Sequence, residues 1–511
     1  MSVITTCLGH PRIGVARELK KALEAFWAGK SSEAALAQVA SELRRRHFTA
    51  MRERGIDQIP SNDFSLYDHV LDMAVSVGAV PRRYREIPAG LPRYFAMARG
   101  LQDRASGLDV PALEMTKWFD TNYHYIVPEL ELEQTFELDA SKLLSELEEA
   151  KALGIETRPV IVGPVTFLLS SKLAPGAGEA SPLVLLDALL PIYAELLAVL
   201  AERGVGWVQV DEPCLATDLD APARSACERA FEHLSKRTKR PRVLLATYFG
   251  ALGENLPLAT GSGFEALHAD LCRAPEQLDA LLGALGPETA LSAGVVDGRN
   301  VWRTDLDAAH ALLRRAVRAL GPERVFVAPS CSLLHVPIDV SVEQKLDPEL
   351  RGWLAFATQK LDEIRALAGA ATSDSPAGTA FDASRAALAA RRASPRTRNT
   401  AVRSRTQGID AAMLRRASPY SERAPRQRER FGLPVLPTTT IGSFPQTAEV
   451  RGARAAWRAG RITGAQYQAF LETETRRAVE KQEALGLDVF VHGEFERNDM
   501  VEYFGEKLEG F

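Results

Sequence analysis

Asp211 and Glu212 stand side by side at the end of the apolar run GWVQVDEP (206–213). Two carboxylates at a strand end have the chemistry of a general acid/base pair. Cys331 and His335, spaced C-x3-H, follow the run RVFVAPS, and Cys7 and His10 sit at the end of another β-rich run. Thiolate and imidazole are zinc ligands, so the two pairs could converge on a metal. The plainer reading, favoured here, is packed thiols and hydrogen-bonded imidazoles. His124 in the segment NYHY is equally open to either kind of role. Arg17 and Lys20 lie three apart and therefore share one helical face. Alone, they read as the solvated start of a basic helix.

These residues hang on a repeating frame. Between residues 2 and 340, β-rich runs alternate with amphipathic or Ala/Leu-rich ones. Strand candidates are VITTCL (3–8), IDQIP (56–60), EMTKWF (114–119), PVIVGP (159–164), GWVQVDEP (206–213), RVLLATYF (242–249), ALHADL (266–271), LSAGVV (291–296) and RVFVAPS (324–330). Helices are predicted over 16–27, 141–152, 183–202 and 305–320. Strand alternating with helix implies parallel strands and right-handed crossovers. The chain therefore reads as α/β, with an N-terminal (βα)8 TIM barrel over residues 1–365. Nine candidates compete for eight barrel positions, so one is surplus. No G-x-G-x-x-G follows an early strand, which disfavours a dinucleotide-binding sheet.

Composition narrows the function. Apolar residues at 46% and charged residues at 25% suit a chain with real cores. No uncharged apolar run approaches the length of a membrane span, and the N-terminus lacks the pattern of a signal peptide. Five scattered cysteines fit a reducing compartment, hence the cytoplasm. A net charge of −4 gives no reason to expect nucleic acid. Residues 366–432 are read as an Ala/Arg-rich helical linker. Its basic stretch, 385–430, carries thirteen arginines and a single aromatic, Tyr420, so bases would have almost nothing to stack on.

From residue 433 a second globular texture begins: a strand-like PVLPTTTIGSF, helices over 449–459 and 465–485, then a strand-like DVFVHGEF. An offset of 431 (488 − 57) lays the two ends over each other. Gly29-Lys30 falls on Gly460-Arg461, Gly55-Ile56-Asp57 on Gly486-Leu487-Asp488, Asp63-Phe64 on Glu494-Phe495 and Asp68 on Asp499. With a slip of two residues, Gly9-His10-Pro11 meets Gly442-Ser443-Phe444-Pro445. The expectation is a duplicated barrel, residues 433–511 being the opening part of a C-terminal copy cut short.

The segments LGHPRIGVARELKKALEAFWAG, MTKWFDTNYHYIVPE, VGPVTFLLSSK, VQVDEPCL, PTTTIGSFPQT and VHGEFERNDMVEYFGEKLEGF together resemble the cobalamin-independent methionine synthase family, in the family's order. MTKWFDTNYHYIVPE is read as the third strand of the barrel. The resemblance implies methyl transfer from 5-methyltetrahydropteroyltriglutamate to L-homocysteine, giving L-methionine. It places the folate on Arg17, Glu18, Leu19, Lys20 and Lys117, where cations would meet the glutamate tail's carboxylates. It places homocysteine on Ile441, Gly442, Ser443 and Glu494. There a glycine turn offers N–H groups and a hydroxyl to a carboxylate, and Glu494 receives the ammonium.

The resemblance also implies a zinc ion, held by one His, two Cys and one Glu, that stabilises the substrate thiolate. No cysteine follows Cys331, and His492 is the last histidine. The family's zinc ligands are therefore expected to be absent, with no catalytic residue and no metal ligand here and no turnover from this chain alone. A monomer without membrane or nucleic-acid partners is expected. Two other readings remain open: a non-catalytic folate-binding or scaffold barrel, and an unrelated decarboxylase-type barrel using Asp211 and His335.

Overall fold

Eight short parallel strands form a ring in the first part of the chain. They are β1 (Ile4–Thr5), β2 (Ile59–Ser61), β5 (Thr157–Val162), β6 (Trp207–Asp211), β7 (Arg242–Ala246), β8 (Ala266–Asp270), β9 (Ala290–Val296) and β10 (Val325–Pro329). Hydrogen bonding runs in the order β1-β10-β9-β8-β7-β6-β5-β2. A parallel bridge from Thr6 to Gln58 joins the two ends, with the Gln58 N–H donating to the Thr5 carbonyl at 3.0 Å. Closure removes the open edges that a flat sheet leaves. The computed structural model describes residues 3–103, 107–176, 178 and 180–508. They fall into two units, one up to Ala390 and one from Arg391.

β8, β9 and β10 are buried along their whole length and β7 at all but Arg242, as strands covered on both faces must be. The outer layer includes helices Ser141–Ala152, Leu186–Glu202, Ala221–Ser235, Leu306–Leu320 and Ala357–Ala370. Pro182–Glu202 is long and apolar enough to cross a membrane. Asp187 and Glu195 interrupt it, however, and it lays Leu189, Tyr193, Leu196 and Leu200 into the barrel's core. The predicted start of Leu306–Leu320 is right to one residue, because Asp305 is its N-cap and accepts from the Ala308 N–H at 3.1 Å. Helix Thr379–Ala393 buries Phe381 in the same core, and its Ser384 hydroxyl donates to the Thr304 carbonyl at 2.7 Å.

Inside the ring the chemistry is polar. The Arg158 guanidinium, 1% exposed, donates to Thr6 Oγ1 at 2.6 Å, to the Cys7 carbonyl at 2.8 Å and to Gln209 Oε1 at 2.8 Å. Burial pulls it down to about 10. A buried cation whose two terminal nitrogens both donate, while its Nε finds no partner among the described residues, fixes the register of three strands at once.

The surplus strand is the one predicted at 114–119. Met115–Lys117 (β3) pairs antiparallel with His124–Ile126 (β4) and takes no place in the barrel. The segment read as the barrel's third strand is therefore a hairpin, and the third barrel strand is Thr157–Val162. All three β3 residues are exposed, whereas the barrel strands are buried.

The second unit repeats the opening of the first. Helix α1 (Glu18–Trp27), α2 (Glu33–Glu53) and α3 (His69–Ser76) have counterparts α4 (Ala448–Arg458), α5 (Gly464–Ala484) and α6 (Met500–Gly505). α2 and α5 are each 21 residues long, capped by the hydroxyls of Ser32 and Thr463. In the first unit the Thr5 N–H donates to Asp57 Oδ2 at 2.8 Å and the Asp57 N–H to the Thr5 carbonyl at 3.1 Å. In the second, Thr438 N–H donates to Asp488 Oδ2 at 2.7 Å and Asp488 N–H to the Thr438 carbonyl at 3.1 Å. Asp68 caps α3 and Asp499 caps α6. The two strand-like runs predicted here form no ladder among the described residues. They meet in one parallel bridge, Ser443 to Gly493.

Candidate functional site

The strand-end carboxylates separate into two jobs. Glu212 is fully buried, and its oxygens accept the N–H groups of Val165 at 3.0 Å and Thr166 at 2.7 Å, so it caps helix Pro164–Leu169. Gly163 has no alternative at this spot, since a Cβ there would stand 2.3 Å from Glu212. Asp211 instead faces the mouth of the barrel. It accepts from Gln209 Nε2 at 2.7 Å and the Tyr248 hydroxyl at 3.0 Å. Burial raises it to about 7, against the lowering effect of those hydrogen bonds. The acid/base pair suggested by adjacency is therefore not a pair.

The Cys/His sets are packing. Cys7 donates to the Gly9 carbonyl at 3.2 Å, and burial pushes its thiol up to about 12. Burial also drives Cys331 well up, and its thiol donates to the Ser332 carbonyl at 3.5 Å. The His10 ring lies 4.4 Å from that of His47, and the His335 ring 5.6 Å from that of Phe249. Burial lowers both His10 and His335 to about 4. Among the described residues no group of three or more His, Cys, Asp or Glu is placed to hold a metal ion. The described residues do not fit the zinc that the resemblance implies.

The folate candidates occupy two segments. Arg17 is the N-cap of α1, exposed and left-handed with φ 60°. Glu18 accepts from the Ala16 N–H at 2.9 Å and from Arg46 at 3.1 Å. Leu19 points the other way, 1% exposed in the cluster with Leu23, Leu36 and Tyr84, so it could reach a ligand only through its backbone. Lys20 is exposed, 3.7 Å from Glu24. Lys117 lies on β3, directly across from His124, also exposed, on β4. The structure gives no direct contact between Lys117 and α1. It links their segments through Arg12, whose guanidinium sits 5.9 Å from the Tyr123 ring and donates to the carbonyls of Ser65 and Tyr67.

Sequence reasoning missed what holds that hairpin down. Asp120 accepts from Arg273 at 2.8 Å and from Arg299 at 2.7 Å, while Arg299 also donates to the Asp120 carbonyl at 3.0 Å. The partners stand 153 and 179 residues away along the chain, and no local spacing signals them.

In the second unit Gly442 and Glu494 do converge. The Phe444 N–H donates to the Gly493 carbonyl at 2.9 Å, and a Cβ on Gly442 would lie 3.4 Å from Glu494 Oε1. Gly442 has φ 141°, which a side chain would strain. Ile441 is fully exposed. Glu494 itself is left-handed at φ 57°, and Arg497, also missed, donates to its Oε2. Among the described residues, only Arg17, Asn62, Phe119, Phe249 and Glu494 combine a side chain with positive φ. Such strain gathers at functional positions, and two of the five are candidate ligands.

Against known proteins, residues 4–321 match the model of the cobalamin-independent synthase N-terminal domain, and residues 436–511 that of the cobalamin-independent synthase catalytic domain. Named relatives are 5-methyltetrahydropteroyltriglutamate–homocysteine methyltransferases. That of Xylella fastidiosa (strain M23) is 53% identical over 510 residues, covering 99% of this chain and 66% of the relative. That of Caulobacter vibrioides is 53% identical over 528 residues, covering 100% of this chain and 68% of the relative. The chain thus spans about two thirds of the length of these relatives. Among solved structures it is similar to a B12-independent methionine synthase from Shewanella sp. W3-18-1. That likeness has a TM-score of 0.49 and 14% identity, covering 66% of this chain and 89% of that one. The expectation that this chain gives no turnover finds no support in these matches. With both family models matched in order and relatives 53% identical along 99% of its length, the chain belongs to the cobalamin-independent methionine synthase family.

Proposed function

We propose that the protein transfers the methyl group of 5-methyltetrahydropteroyltriglutamate to homocysteine, giving methionine in the cytoplasm, and that this chain supplies the folate-tail cations and the clamp for homocysteine's amino-acid end. In the reaction the sulfur of homocysteine loses its proton and takes the methyl group, while N5 of the folate loses the methyl and gains a proton. The chain's part is positioning, which lowers the barrier by holding the two reactants in line. Arg17, Lys20 and Lys117 offer exposed cations to the glutamate carboxylates. The turn at Ile441-Gly442-Ser443 offers N–H groups to the homocysteine carboxylate, and Glu494 offers its carboxylate to the ammonium.

One observation carries the reading: Gly442 and Glu494, 52 residues apart in sequence, are brought together beside the Ser443–Gly493 bridge, so closely that a Cβ on Gly442 would lie 3.4 Å from Glu494 Oε1. Arg497 already pairs with Glu494, so ammonium binding requires that pair to open or be shared. The test is calorimetric binding of homocysteine and of mono- and triglutamyl folate. Glu494→Gln should weaken homocysteine about tenfold or more, since a charged partner is lost. Lys117→Ala should weaken the triglutamate several-fold and leave the monoglutamate unchanged. Equal homocysteine affinity in Glu494→Gln would sink the clamp, and equal losses for both folates in Lys117→Ala would sink the tail assignment.

A further inference from the structure

Beneath the β3–β4 hairpin, the mouth of the first barrel encloses a cavity of about 50 Å³, against the ~10–15 Å³ that one water needs. Asp63 and Asp211 both line it, and neither makes an ion pair among the described residues. Attraction reaches Asp63 from Lys142 and Arg44, and Asp211 from Arg158, without an ion-pair contact. Ser65, 1% exposed, also lines the cavity, and its hydroxyl has no hydrogen-bond partner among the described residues. Asp72 Oδ2 is likewise without a hydrogen bond, with Lys142 Nζ 3.4 Å away. The walls also carry the aromatic faces of Trp118 and Tyr123.

The cations that line this space are committed or uncharged. Arg12 donates to the carbonyls of Ser65 and Tyr67. Burial lowers His10 and His335 to about 4 and His69 to about 3. Carboxylates, an unused hydroxyl and aromatic faces are what a small cation with N–H donors would satisfy.

The internal repeat strengthens the point, and here the inference rests on the homocysteine reading. Asp63 is the counterpart of Glu494 and Gly9 of Gly442. A Cβ on Gly9 would lie 3.6 Å from Asp63 Oδ2, as one on Gly442 would lie 3.4 Å from Glu494 Oε1. One difference sets the ligand class. The His10 N–H donates to Asp63 Oδ2 at 2.7 Å, so it is not free for a ligand carboxylate. The first barrel keeps the receptor for an ammonium and loses this donor for the acid.

We propose that this cavity is a second ligand site of the protein, taking a small alkylammonium cation with Asp63 as its charge partner and Ser65 as a hydrogen-bond acceptor. The experiment is calorimetric titration of the intact chain with ethylammonium chloride, against sodium chloride at equal ionic strength. Saturable binding with a Kd on the order of millimolar is expected for so small a ligand. Asp63→Asn should weaken it about tenfold or more and Ser65→Ala several-fold. Absence of saturable heat overturns the proposal, as does wild-type affinity in a folded Asp63→Asn. Should Asp63→Asn fail to fold, Ser65→Ala decides, and wild-type affinity there is equally fatal. Binding lost in Glu494→Gln but kept in Asp63→Asn places the cation in the second unit, which overturns this site and leaves the homocysteine reading standing. A Glu494→Gln chain that binds homocysteine normally sinks that reading alone.

Discussion

Asp211 shows how one buried carboxyl records its surroundings. Its two hydrogen bonds favour the charged form, yet burial outweighs them and raises it to about 7. The unfolded chain releases that proton near the ordinary aspartate value of about 4. Between those two values the folded state holds a proton that the unfolded state has lost. Stability therefore falls as pH rises through the window, and the loss is complete above the folded value. Asp211→Asn removes this slope while keeping an acceptor for Gln209. Denaturant melts should find the variant more stable than the parent by roughly 4 kcal/mol at about pH 8 and nearly equal at about pH 4. The same difference at both pH values would show that burial is not what raises Asp211. Little of this was legible in the sequence. Adjacency suggested a catalytic pair, but the 3.6-residue and two-residue periodicities of a chain do not say which of two neighbours turns back to cap a helix. Glu212 does, and Asp211 does not.

At the scale of elements, most of what the alternation of runs predicted is present, and the exception is instructive. Helices Ser141–Ala152 and Leu306–Leu320 lie where the periodicity puts them, because apolar spacing and an aspartate N-cap are local signals. The run at 114–119 has strand composition too, but composition does not choose between a parallel neighbour in a barrel and an antiparallel one in a hairpin. The choice is made by the turn at residues 118–121, where Phe119 takes φ 51° and the Thr121 N–H and hydroxyl both donate to the Trp118 carbonyl, and by Asp120, which ties the turn to Arg273 and Arg299. Asp120→Ala should free the hairpin without unfolding the barrel, since half-exposed ion pairs contribute only about 1 kcal/mol each. Hydrogen exchange should then speed up at residues 115–126 and stay unchanged in β7 to β10, with a small shift in melting. Unaltered exchange at 115–126 would mean that aromatic packing of Trp118 and Tyr125, rather than the Asp120 clamp, holds the hairpin.

For the whole molecule, the offset of 431 was the most far-reaching sequence observation, and its physical basis is now explicit. The matched residues are those whose backbones or caps do work that few other types do. Gly29 and Gly460 end a helix at φ 67° and 68°, Gly55 and Gly486 at φ 72° and 70°, and Asp57 and Asp488 hold the N–H of a threonine. Core positions drifted further: buried Met51 of α2 is matched by Gln482 of α5, equally buried, whose amide donates to the carbonyls of Ala478 and Val491. Between the repeats the chain behaves differently. Helices Thr400–Gln407 and Tyr420–Phe431 bury no residue, and both carry arginines. Segments without buried apolar contacts open at little cost, and proteolysis samples that opening. Brief trypsin treatment of the native chain should therefore cut first between residues 398 and 430. The product carrying the closed barrel should survive far longer than the parent, as a band that mass spectrometry places with its C-terminus in that interval. A first cut within the barrel's own loops, ahead of any in the arginine-rich stretch, would show that the helices between the repeats are held by more than their own hydrogen bonds.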